Sequence, residues 1–166
     1  MNIIGKKTLV GVLCCVAFVA QPGRGARAYA AEDLRLAPGL SFTDDSSASF
    51  PIEGTRLDEA EVGHGRATVV FFGAAQCWNT NREAERLVEL YPRFRDSVRF
   101  VVVDVSHPSD AQRALLATHY RGYIPTLVVL APDGKVLYAR AGETATRRAD
   151  TAPLEKLLAQ ALETRG

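Results

Sequence analysis

Cysteine is scarce in this chain: three in 166 residues, at positions 14, 15 and 77. That is too few for a small domain held together by disulfides. Three histidines, His64, His107 and His119, are widely spaced and carry no ligand pattern, so no metal is expected. Beyond Arg147-Arg148 the basic residues do not cluster and are interspersed with acidic ones, which leaves no nucleic-acid footprint. There is no Gly-rich phosphate loop, no Ser/His/Asp motif, no paired-carboxylate arrangement, no internal repeat and no low-complexity tract, and no cofactor is expected. The longest uninterrupted apolar run, Thr8 to Ala20, has about 13 residues, short of the roughly 20 that a membrane-spanning helix needs.

That run has the layout of an export signal. Lys6 and Lys7 precede it, and Ala28-Tyr29-Ala30 after it is the small-x-small pattern that a signal peptidase accepts, which predicts cleavage after Ala30. Leu13 before Cys14 and Cys14 before Cys15 are poor substitutes for the small residue of a lipoprotein signal; an uncleaved anchor is the alternative. An exported protein, periplasmic or secreted, would keep 136 residues, enough for one domain with a real core. It would carry 16 basic and 19 acidic residues, a net charge of −3, with no stable membrane span. Cys77 would be its single cysteine, unable to form an internal disulfide.

The chain divides into a signal over 1–30, a flexible lead-in over 31–54 and a folded domain over 55–166. The lead-in holds Pro38, Gly39 and the polar run Thr43 to Ser47; Leu40-Ser41-Phe42 could add a short strand, and no chemistry is expected of it. Thr55 to Glu61 predicts a short helix. Val69-Val70-Phe71-Phe72, apolar on both faces and stopped by Gly73, predicts a strand buried inside a sheet. Asn79 to Phe94 then turns to helical spacing, with Ala84, Leu87, Val88, Tyr91 and Phe94 on one face. Val98 to Val105 is a second interior strand, parallel to the first. Ser109 or Asp110 can cap a helix from Ala111 to Tyr120. Thr126 to Leu130 is a third strand, Pro132-Asp133-Gly134 a hairpin turn, Val136 to Arg140 an antiparallel fourth strand, and Ala152 to Leu162 an amphipathic closing helix.

This order resembles the thioredoxin fold from about Thr55 to Leu162. FFGAAQCWNT is similar to that family's strand, small residues and CxxC segment, and GYIPTLVVLAPDGKVL to its Gly-x-x-Pro-Thr strand and hairpin. The resemblance implies an α/β fold with a central mixed sheet of about four to five strands flanked by helices. It also implies a cis peptide at Pro125 beside the active-site sulfur, a trans proline ending a loop being the other reading. The chain departs from the pattern where chemistry is concerned. Thr80 replaces the second cysteine, Gln76 the preceding aromatic residue, Trp78-Asn79 the Gly-Pro, and Phe71 the buried acid.

Cys77 falls where a strand's end meets a helix's start, and unpaired N–H groups with the positive dipole end there favour a thiolate over a thiol. Cys77 is therefore a candidate catalytic residue, with the Thr80 hydroxyl as a candidate donor to the sulfur one turn away, and the resemblance adds Pro125 as the third. Trp78, Ile124 and Thr126 are the candidate contacts for a partner. The partners implied are protein thiols or disulfides, or an extended peptide segment. Two functions stand: monothiol thiol-disulfide exchange, with release by an outside thiol, and a redox-inactive module that binds a peptide or protein through the same groove. A cysteine buried and inert, a Trp78 serving only as a lid over the core, and Asn79 and Thr80 as ordinary helix-start residues with a structural role are the corresponding structural readings.

Overall fold

The structure, a computed structural model, describes residues 31–142 and 146–164; the expected signal, with Cys14 and Cys15, lies outside them. A four-stranded mixed sheet runs in the order β4-β3-β5-β6, where β3 is Ala67–Gly73, β4 Val98–Asp104, β5 Thr126–Leu130 and β6 Val136–Ala141. β3 and β4 are parallel, with Ala67 opposite Val98 and Gly73 opposite Asp104. β5 runs antiparallel to β3, and β6 returns antiparallel to β5. The helices are α1 (Trp78–Phe94), α2 (Arg113–His119) and α3 (Ala152–Glu163).

All seven residues of β3 are buried, and alternate side chains feed two separate cores. Val69 and Phe71 pack with Ala84, Leu87 and Leu90 of α1 and Leu154 and Leu158 of α3. Val70 and Phe72 pack with Leu115 of α2 on the other face, where Phe72 stacks on Tyr120. A strand coated on both faces cannot alternate apolar with polar residues, which is why β3 and β4 read as continuous apolar runs. At about 1.5–3 kcal/mol for each large side chain removed from water, this double burial makes β3 the axis of the domain.

Four expectations are corrected. Residues 31–54 are not a flexible lead-in. β1 (Glu32–Leu36) and β2 (Ile52–Thr55) form an antiparallel pair, Leu34 and Ile52 are buried in the α1-side core, and the Asp33 N–H donates to the Tyr91 hydroxyl at 3.1 Å. Apolar burial holds the pair on α1 despite its polar flanks. Leu40-Ser41-Phe42 is not a strand. Thr55 to Glu61 is not a helix: Thr55 ends β2, Arg56 takes a left-handed φ of 57°, and the buried Gln112 amide donates to the carbonyls of Leu57 (2.6 Å) and Glu59 (3.3 Å). With those carbonyls turned toward Gln112, a helical ladder gives way to a loop clamped onto the β4–α2 connection. α2 also starts two residues later than expected, with Ser109 Oγ accepting the Gln112 N–H at 3.3 Å ahead of it.

Gly73 closes β3 in a space that admits no side chain. A Cβ there would lie 2.5 Å from Thr80 Cγ2 and 3.0 Å from the Phe71 ring. Gly73→Ala is therefore expected to destabilise the fold by about 1–3 kcal/mol through overpacking, and adding Thr80→Ser, which deletes Cγ2, should recover part of that loss. Chemical denaturation of the single and double variants measures both; equal stability of Gly73→Ala and wild type would refute the close approach.

Candidate functional site

Past Gly73 the chain leaves the sheet, turns through Gln76 in a left-handed conformation (φ 57°) and reaches Cys77, which is extended and forms the N-cap of α1. The Cys77 carbonyl accepts the Asn81 N–H at 3.0 Å, the first rung of the helix. Cys77 is half-buried and is the free cysteine among the described residues.

The start of α1 is closed from outside by the 41–47 loop. Asp45 Oδ1 accepts the Trp78 N–H at 2.9 Å, and the Ser47 carbonyl accepts the Gln76 N–H at 3.1 Å. The fully buried Asn81 amide donates to the Ser41 carbonyl at 2.6 Å and to Ser47 Oγ at 2.8 Å. Ser47 Oγ also accepts the Ser41 N–H at 2.7 Å. The loop is braced internally, since Asp44 Oδ1 accepts the Ser46 N–H at 3.0 Å, and hydrogen bonds from Ser46 and then Ser41 hold the Asp44 carboxyl below its ordinary range. This overturns two expectations at once. The lead-in does take part in the site, and the helix start is not a set of open N–H groups, because a carboxylate already sits on one of them. Asp45, Ser47 and Asn81 are the residues that sequence reasoning missed. A Ser/Asp run is the composition of a helix cap, but its target lies 33 residues on.

Thr80 takes the structural of its two readings. It is fully buried, its Oγ1 has no hydrogen-bond partner, and so it does not donate to the Cys77 sulfur. Its side chain is turned inward, where Cγ2 fills the space over Gly73. Phe71, in place of an acid, is fully buried with its ring 6.4 Å from that of Phe50. Two charges are nonetheless enclosed in α1: Glu83 and Arg86 form an i,i+3 ion pair with essentially no exposure.

The Ile124–Pro125 bond is cis, and Pro125 is buried. Its carbonyl accepts the Gly142 N–H at 2.7 Å, and Thr126 Oγ1 donates to the Tyr123 carbonyl at 2.6 Å. Thr126 pairs with Phe72 across β3–β5, so the antiparallel register puts Pro125 beside Gly73, at the end of the strand from which the Cys77 turn departs. Ile124 is half-buried, Thr126 is buried, and Tyr123 is 68% exposed. Trp78 is half-buried, with the Arg82 guanidinium 5.4 Å from its ring centroid, so it is not a closed lid over the core. The histidines stay apart: His107 Nδ1 lies 3.1 Å from Asp104 Oδ2, while burial and then Arg121 hold the His119 imidazole below its ordinary range.

Among solved structures the chain is similar to thioredoxin from Fasciola hepatica, at 26% identity over 58% of this chain and 82% of that one, with a TM-score of 0.43. It is similar to Malassezia sympodialis thioredoxin at 21% identity over 60% and 78%, TM-score 0.45. Mitochondrial thioredoxin 3 from Saccharomyces cerevisiae, in its oxidized form, matches at 25% identity over 58% and 79%, TM-score 0.42. No family model and no curated protein matches the chain. The fold is thioredoxin-like. The strand order and directions given above carry that statement.

A buried hydroxyl without a partner costs stability, and replacing it by a methyl removes that cost. Thr80→Val is expected to be neutral or stabilising by about 1 kcal/mol and to leave the alkylation rate of native Cys77 within twofold of wild type. Thermal unfolding and residue-resolved labelling check this; a tenfold fall in labelling would restore the hydroxyl as a partner of the sulfur.

Proposed function

We propose that this protein is an exported thioredoxin-like monothiol that exchanges with disulfides through Cys77. The observation that carries the reading is the placement of a half-buried, unpaired cysteine at the N-cap of α1, in the turn that follows β3 and next to the strand that begins after a cis proline. The Cys77 thiolate attacks one sulfur of a partner disulfide, that S–S bond breaks, and the other partner sulfur leaves as a thiolate that takes up a proton. The product is a mixed disulfide. Thr80 stands where a resolving thiol would be, so an outside thiol, as its thiolate, attacks the partner's sulfur in the mixed disulfide; a new disulfide forms between the two and Cys77 leaves as the thiolate. In this reading Trp78, Ile124 and Thr126 line the approach of the partner's extended segment, and export accounts for a lone thiol working among disulfide-bonded proteins.

A second reading, a redox-inactive module that binds a peptide or protein partner, is favoured by a specific observation: the Asp45 carboxylate occupies the first helical N–H after Cys77. That contact removes part of what would stabilise a thiolate.

The two separate on trapping. Incubation of the folded protein with a disulfide-bonded protein substrate should give a mixed disulfide at Cys77, found by mass spectrometry of the Cys77 peptide, dissolved by added thiol and absent in Cys77→Ser. A native Cys77 that forms no adduct while the unfolded chain does would contradict exchange and leave the binding module.

A further inference from the structure

Asp45 reaches the start of α1 from another element, with Oδ1 2.9 Å from the Trp78 nitrogen, one peptide bond from Cys77. The loop that carries it is anchored independently of that contact. Ser47 is bonded to Gln76 and Asn81, and Asn81 to Ser41, with Ser47 and Asn81 both buried. The carboxylate is therefore held at the helix start by its neighbours. A helix N-terminus offers the equivalent of roughly half a positive charge, and a full negative charge seated on its first N–H more than offsets it. The other charged groups around the loop and the helix start include Asp44, of the same sign and exposed, Arg82, whose guanidinium lies over the Trp78 ring, and Arg148, which stacks on Phe42 of the same loop and is ion-paired with Glu85 of α1.

We infer that Asp45 is a specificity-determining residue for exchange at Cys77: its carboxylate, fixed on the first N–H of α1, turns the site against anionic partners and leaves neutral or basic segments around a disulfide as its substrates. This rests on the exchange reading of Cys77. Asp45 acts through the helix start and the local potential, so it is a positioning residue and takes no part in bond making.

The test compares a neutral with an anionic thiol reagent on the full chain, following the Cys77 peptide by mass spectrometry at neutral pH and low salt. Asp45→Asn keeps an oxygen acceptor for the Trp78 N–H and removes only the charge; Asp45→Ser does the same with a shorter group. The rate ratio of iodoacetamide to iodoacetate, high in wild type, is expected to fall about fivefold in either variant, mainly because iodoacetate becomes faster. In wild type, raising the ionic strength should speed iodoacetate selectively. A ratio within twofold of wild type in a folded neutral variant would overturn the inference. So would a wild-type ratio indifferent to salt, a measurement that needs no variant. Failure of the disulfide trap with this charge selectivity intact would sink the exchange reading and with it the assignment of Asp45 to exchange, leaving only charge discrimination by Asp45 at the Cys77 thiol.

Discussion

The first turn of α1 is finished by a loop that precedes β3 in sequence. Every helix begins with N–H groups that have no partner within it. Here one is taken by the carboxylate of Asp45, while the turn into the helix is pinned by the Ser47 carbonyl on the Gln76 N–H. Asn81 sits inside the joint with both amide hydrogens spent on the loop. A buried amide deprived of such partners costs about 1–3 kcal/mol, so the conformation around Cys77 depends on the loop being in place. The same segment leads on to Phe50, which packs against Phe71. The loop is thus tied to the core at one end and to the cysteine turn at the other.

This arrangement sets the balance between the two functional readings. The fold supplies a half-buried thiol at a helix start and a cis proline just ahead of the neighbouring strand. The residues that would carry protons or resolve a mixed disulfide are replaced by groups that pack. Phe71 fills the core, and Thr80 is spent on covering Gly73. Under the exchange reading proposed above, such a site would hold a partner through one sulfur and depend on an outside thiol for release.

The sheet was legible in the sequence because burial on both faces of β3 and β4 erases alternation and leaves unbroken apolar runs. The return strand was legible because Pro132-Asp133-Gly134 is a turn by its own chemistry, with Gly134 at φ 86° and Asp133 Oδ1 accepting the Lys135 N–H at 2.9 Å. The Ile-Pro-Thr segment likewise pointed to Pro125. What escaped depends on partners distant in sequence. Asp45 and Asn81 make contacts spanning 33 and 40 residues, and a polar run that caps a remote helix looks locally like a tether. The helical pattern at Thr55 to Glu61 failed for the same reason, since Gln112, more than 50 residues away, claims its carbonyls. Of the two readings of Thr80, the structural one holds and the donor to the sulfur does not; the absence of room at Gly73 shows why it turns inward.

Amide hydrogen exchange at Gln76 and Trp78 tests most directly whether the loop closes the cysteine turn. Both N–H groups are expected to exchange at least a hundredfold more slowly than in an unstructured peptide, and the Trp78 amide to lose much of that protection in Asp45→Ala. Exchange of either amide at the unstructured rate in the folded wild-type protein would show that the helix start is open and that the account built on its closure is wrong.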